Sequence, residues 1–199
     1  VIRHIPTGSG TVIDYGCGDS INAEHIAKYC TQLILVESSE MLRNRLKARY
    51  PHHPIIQIMS PEECLNLAPN SADVVIIHSV LQYLQNGDAC HLIGRLQRLL
   101  KDKGCLYLGD IIPPHRSILD DVSALLQFAW RHQFLIASIY GLIRTFFSKY
   151  KKLRDRYGLT CYSAQEIHII GQKHGFTVKP MERNIGHDQT CLLYTSDAA

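Results

Sequence analysis

Val12-Ile13-Asp14-Tyr15-Gly16-Cys17-Gly18 is the stretch that decides the fold, an apolar run feeding a D-x-G-x-G turn. Glycines at such a turn let the backbone reverse tightly and approach a ligand with no Cβ in the way. Asp14 would stand at the carboxyl edge of the strand, where open parallel sheets bind ligands. The plainer alternative is a turn with a capping aspartate.

On either side of this turn, strand patterns alternate with helix patterns. Thr11 to Tyr15 reads as a strand, Asn22 to Tyr29 as a short helix and Leu33 to Val36 as the next strand. Ser39 then caps a helix from Met41 to Tyr50, and Ile55 to Ile58 follows as a short strand. Ser60 to Ser71, punctuated by Pro61 and Pro69, reads mostly as loop. Val74-Val75-Ile76-Ile77 suits a strand buried on both faces at the centre of the sheet. Cys90 to Leu100 carries a helical stripe that Lys101 to Gly104 closes, and Cys105 to Leu108 is a further strand. Ser163, with Glu166 as its capping-box partner, begins a helix through Lys173, which Gly175 ends. Phe176 to Lys179 and Thr190 to Tyr194 return to the sheet.

This alternation calls for a parallel sheet covered by helices on both faces. Residues 117–156 interrupt it with a helical insertion too long for a crossover and too apolar for a free linker. Its apolar run falls short of the roughly 20 residues that span a bilayer. A lid over an apolar acceptor is the first reading. Peripheral membrane contact, with Lys149 to Arg156 near anionic lipid, is the second, and simple core packing would give much the same pattern.

Composition narrows the classes. The chain has 199 residues, 46% hydrophobic and 20% charged, which suits a single packed domain. Its 21 basic and 18 acidic side chains leave too small an excess to argue for a nucleic-acid partner. Seven scattered cysteines without a C-x-x-C pair argue against a zinc ribbon and fit a reducing compartment, hence the cytoplasm. The eleven histidines form no H-E-x-x-H motif, so no metal site is expected.

The second strand delivers Glu37, and a carboxylate there can accept from both vicinal hydroxyls of a ribose. S-adenosylmethionine and NAD share that requirement. The third glycine separates them: a dinucleotide loop reads G-x-G-x-x-G, and Ile21 stands where its last glycine would be. An NAD-dependent oxidoreductase is thereby disfavoured.

With Asp14, Gly16, Gly18 and Glu37 in these positions, the chain resembles a class I S-adenosylmethionine-dependent methyltransferase. The resemblance runs from about Thr11 to Tyr194 and is strongest to small-molecule enzymes such as the ubiquinone and menaquinone methyltransferases. It implies a Rossmann-like, mostly parallel seven-stranded sheet with a helical insertion after the fifth strand. It also implies that Met41 lies against adenine and that Glu62, in Ser60-Pro61-Glu62-Glu63, lies near the same ring. Asn70-Ser71-Ala72-Asp73 matches the family's usual lead into the fourth strand, and Ser79 and Val80 after that strand would line the methionine end of the cofactor. Helix packing is the competing account of Met41.

Methyl transfer from a sulfonium is an in-line displacement that needs alignment and no metal. A hydroxyl acceptor would also need a base, for which His78, His115 and His187 are the candidates. Tyr83 could face the acceptor, Asp110 sits where family members often contact substrate, and Tyr157 to Tyr162 and Asn184 to Gln189 would border the opening. Structural roles compete for each. Only ten residues precede Thr11, fewer than the family's opening helices occupy, which points to a domain lacking its N-terminal helices. A small-molecule acceptor is the expected partner, the oligomeric state is open, and a non-catalytic binding domain of the same fold is the chief rival.

Overall fold

The computed structural model describes residue 5 and residues 8–114, 159–181 and 192–198. The proposed insertion at 117–156, His115, His187 and Asn184 to Gln189 lie outside them. Strands β1 (Ser9–Tyr15), β2 (Cys30–Val36), β3 (Ile56–Met59), β4 (Ala72–His78) and β5 (Leu100–Ile111) alternate with helices α1 (Ala23–Ala27), α2 (Glu40–Arg49), α3 (Pro61–Leu65) and α4 (Asn86–Gln97). Helix α5 (Ala164–Lys173) and strands β6 (Phe176–Pro180) and β7 (Leu192–Ala198) follow. The seven strands form one sheet in the order β3-β2-β1-β4-β5-β7-β6. The first five are parallel, and β7 runs antiparallel between β5 and β6.

The apolar runs exist because the central strands are covered twice. Val12, Leu33, Leu35, Val74 and Ile76 share one core with Ala23, Ile26 and Ala27 of α1 and Leu46 of α2. Ile13, Ile34, Val36, Val75 and Ile77 share the opposite core with Ile93 and Leu96 of α4 and Ile167 and Ile170 of α5. With side chains alternating along each strand, both sets must be apolar.

Three readings of the chain need correction. Ser60 to Ser71 is loop over most of its length, but its first part is a helix, since α3 starts at Pro61 on a full capping box between Ser60 and Glu63. Pro61, read as punctuation, is the helix's first residue. Helix α4 also starts and stops earlier than its apolar stripe suggests, and Leu100 to Gly104 belongs to β5, where pairing of Leu100 with Ala72 and a register shift before Cys105 replace the expected helix end. Finally, β7 continues through Thr195 to Ala198, because strands on both sides supply its backbone partners whatever its polarity. The capping box of α5, Ser163 with Glu166, forms as read.

Candidate functional site

The turn after β1 is built by its backbone and by the strands beside it. Gly16 and Gly18 both have positive φ, 80° and 57°, a region that favours glycine. The N–H groups of Gly16 and Cys17 donate to the Val36 carbonyl at 2.8 and 3.1 Å, which binds the turn to the end of β2. A Cβ on Gly16 would come within 2.3 Å of Val80 Cγ2, so that glycine also lets the segment after β4 close onto the turn. A Cβ on Gly18 would meet open space. Beyond the glycines, Arg45 pairs with the Asp19 carboxylate at 3.3 Å, and Arg49 and the Tyr50 hydroxyl donate to the Asp19 and Ser20 carbonyls. Helix α2 thereby fixes the far side of the turn.

Glu37 closes the turn from β2 and is 8% exposed. Its Oε2 accepts from the Gly18 N–H at 3.0 Å, and its Oε1 accepts from the Ser39 N–H at 2.8 Å and the Ser38 hydroxyl at 3.1 Å. Arg43 donates to the Glu37 carbonyl at 2.8 Å. Donors of this kind hold a carboxylate in one orientation; with three of its roughly four lone-pair sites taken, about one, on Oε2, stays available to a further hydroxyl. The sequence identified Glu37 but not Ser38, Ser39 or Arg43 as its supports; the serine and arginine spacing after an acidic strand end was the available signal.

Asp14 is one strand away and differently placed. It pairs in register with Leu35 on one side and Ile76 on the other, both core residues, and is itself only partly exposed. No hydrogen bond to its carboxylate is found among the described residues. Burial pushes its carboxyl up to about 6. The Cys17 thiol is pushed well above its ordinary value, first by burial and then by the Asp14 and Glu37 carboxylates, so it stays protonated in a negative field.

Met41 is 69% exposed at the start of α2. Ile21 is 81% exposed, so no close packing depends on a glycine there. Glu62 is exposed in the first turn of α3, just past the end of β3. Asp73 does not reach the site: it lies in β4 near the opposite edge of the sheet, where it accepts from the Thr11 N–H and from Lys101.

The ends of β4 and β5 form the second half of the site. His78 Nδ1 is 2.7 Å from Ser79 Oγ, and Ser79 Oγ donates to Asp110 Oδ2 at 2.6 Å. Ser79 and Asp110 have φ of 57° and 62°, unfavourable for residues with a Cβ. Tyr162, fully buried, donates its hydroxyl to the Leu84 carbonyl at 2.8 Å, and the Thr160 N–H donates to the Gln82 carbonyl at 2.9 Å. The segment 159–162 therefore does border the loop after β4. Tyr83 is 59% exposed on that loop. Among the described residues, no group of three or more His, Cys, Asp or Glu is placed to hold a metal.

Residues 13–108 match the family described as a methyltransferase domain. In Mycobacterium tuberculosis, a probable S-adenosylmethionine-dependent methyltransferase is 30% identical over 95 residues, which are 48% of this chain and 33% of that protein. The chain thus spans about a third of the length of the curated relatives it matches. The Bacillus subtilis YcgJ protein superimposes with a TM-score of 0.63 at 16% identity, covering 90% of this chain and 68% of that one. Magnesium protoporphyrin IX methyltransferase of Synechocystis, solved with S-adenosylhomocysteine bound, gives 0.60 at 15% identity, covering 99% of this chain and 77% of that one. At such identities the likeness is one of fold. With the family match over residues 13–108, the strand order and the acidic glycine turn taken together, this stretch is similar to the domain of S-adenosylmethionine-dependent methyltransferases.

Proposed function

We propose that this protein transfers a methyl group from S-adenosylmethionine to a small-molecule acceptor. The observation that carries the reading is the pair of carboxylates at the turn: Glu37 held by three donors, and Asp14 half-buried with no donor to its carboxylate among the described residues. The cofactor carries positive charge on its sulfonium and its ammonium, and this turn has a negative field. Asp14 would take the ammonium, which relieves its buried charge, and Glu37 would take a ribose hydroxyl. Gly16 and Gly18 would leave the backbone open to the ligand, Met41 would cover adenine with Glu62 nearby, and Ser79 would line the methionine end. These residues fit the group in charge and in hydrogen-bonding capacity.

When bound, S-adenosylmethionine supplies an electrophilic methyl on an excellent leaving group. The chain's own residues must hold that methyl in line with the acceptor atom and keep water away, a contribution of about 7 to 11 kcal/mol in favourable cases. Val80, which packs on Gly16, ties the cofactor side of the edge to the side that carries His78 and Asp110.

We read the protein as a single domain, with residues 117–156 as a lid over an apolar acceptor and peripheral membrane contact as their alternative use. No helix among the described residues is long and apolar enough to cross a membrane. Scattered cysteines without a C-x-x-C pair suit a reducing compartment and hence the cytoplasm.

Calorimetric titration with S-adenosylhomocysteine tests the cofactor assignment, with NAD and a Glu37→Ala variant as controls. Saturable binding that falls at least about 100-fold in the variant is expected, the loss of charged hydrogen bonds worth about 3 kcal/mol. No binding by the folded chain would remove the assignment.

A further inference from the structure

We propose that Asp110, acting through Ser79, fixes the proton of His78 on Nδ1 and so presents Nε2 as the base for a hydroxyl acceptor. The inference rests on the methyl-transfer reading and assigns it an acceptor class, which makes the reaction an O-methylation.

The argument is one of proton count. Ser79 Oγ lies 2.6 Å from Asp110 Oδ2 and 2.7 Å from His78 Nδ1. A hydroxyl has one proton to give, and an ionised carboxylate can only accept. The serine proton therefore goes to Asp110. What remains on Ser79 Oγ toward the ring is a lone pair, and His78 can satisfy it only with an N–H. Nδ1 then carries the proton, and in the neutral ring the lone pair is on Nε2.

The backbone is arranged to hold this chain. His78 is the last residue of β4 and pairs with Gly109, and the Ser79 N–H donates to the Gly109 carbonyl at 3.2 Å. Both Ser79 and Asp110 adopt left-handed backbone to bring their side chains together across the two strand ends. His78 falls on the same sheet face as Asp14, since Ile76, in register with Asp14, is two residues before it. The base thus stands on the cofactor's side of the sheet.

In the reaction the acceptor oxygen forms a bond to the methyl carbon while its proton passes to His78 Nε2. The carbon–sulfur bond breaks with its electron pair going to sulfur, which cancels the sulfonium charge. The positive charge moves to the imidazolium, whose Nδ1–H remains bonded to Ser79 and, through it, to the Asp110 carboxylate. A neutral amine or activated carbon is already nucleophilic and gives such a base little to do. In this scheme His78 touches the reacting atoms, and Ser79 and Asp110 are positioning residues.

Nitrogen-15 NMR of the histidine rings at pH 8 in the whole chain tests the assignment without an acceptor, with His78 identified by the signals lost in His78→Gln. The expected result is a neutral ring protonated on Nδ1. In Asp110→Asn the amide can donate to Ser79 Oγ and reverse the chain, so the Nε2–H form should become the majority. Ser79→Ala should also lose the Nδ1–H preference. A wild-type ring protonated on Nε2, or an Asp110→Asn ring unchanged from wild type, would overturn the proposal. S-adenosylhomocysteine titration of the same samples separates the two ideas: binding retained with the wrong tautomer removes only the base, while absent binding removes the cofactor reading and leaves the tautomer as measured.

Discussion

Two aspartates on neighbouring strands are treated in opposite ways. Asp73 in β4 accepts from the Thr11 N–H at 2.7 Å and from Lys101 Nζ at 2.8 Å, and so ties the starts of β1, β4 and β5 together. Burial alone would raise its carboxyl, but these two hydrogen bonds outweigh it and hold the group below its ordinary value. Asp14 in β1 sits at the other edge, flanked by Leu35 and Ile76, and burial leaves it raised to about 6. One carboxylate is satisfied by the fold. No hydrogen bond reaches the other's carboxylate among the described residues, and on the methyl-transfer reading that contrast separates a stabilising group from a binding group.

Asp14→Asn should break the contrast most strongly. For a carboxyl whose folded value is raised from 3.8 to about 6, the unfolded chain loses its proton first as pH rises. Stability therefore falls across that window and stays lower above it. Removing the charge should stabilise the protein by up to about 3 kcal/mol at pH 8, and by little at pH 3, in denaturant titrations. The same variant should bind S-adenosylhomocysteine about 10- to 100-fold more weakly, a lost charge-assisted contact. A variant that is both less stable and equally tight would show that Asp14 belongs to the fold.

Asp73→Asn should do the reverse. Loss of its partnered charge should cost about 1 to 2 kcal/mol at pH 7, discounted because a third of the side chain is exposed, and leave ligand affinity unchanged in calorimetry. The sign with pH is also opposite. Its folded value is depressed, so its contribution is present above the ordinary carboxylate value and is lost as pH falls through the folded one.

A titration of the wild-type protein sharpens the contrast further. If Asp14 takes the ligand's ammonium, affinity for S-adenosylhomocysteine should decline below pH 6 by up to about tenfold per unit, while a Glu37→Gln variant should weaken binding at every pH. Affinity flat from pH 7 to pH 5 would place the ammonium elsewhere.

How much of this could be read from sequence depended on whether the cause was local. The β1 turn and Glu37 were legible because a doubly covered strand must be apolar, so a carboxylate or glycine at its end stands out. The capping boxes were equally local, yet only Ser163 to Glu166 was read. Ser60 to Glu63 has the same pattern, but Pro61 between them reads as a break. The start of β5 was hidden because Leu99 and Leu100 extend the α4 stripe, and only pairing with Ala72 decides otherwise. His78 and Asp110 were named separately. Their connection through Ser79 was not legible, since it joins residues on two strands and needs left-handed backbone at two positions that glycine does not mark.

The smallest effect is expected from Lys101→Met, and it divides the Asp73 contacts between backbone and side chain. The Lys101–Asp73 pair is partly solvent-exposed, at 43% and 33%, and such pairs contribute about 0.2 to 1 kcal/mol. The Thr11 N–H would still reach Asp73, since β1 and β4 pair directly in the sheet. Lys101→Met should therefore cost less than about 1 kcal/mol, with the difference from wild type shrinking in 1 M salt as the pair is screened. If its cost instead equals that of Asp73→Asn and ignores salt, the ammonium is indispensable to the strand junction. Asp73 would then owe its depressed value to Lys101 alone, and the backbone N–H would be incidental to what distinguishes it from Asp14.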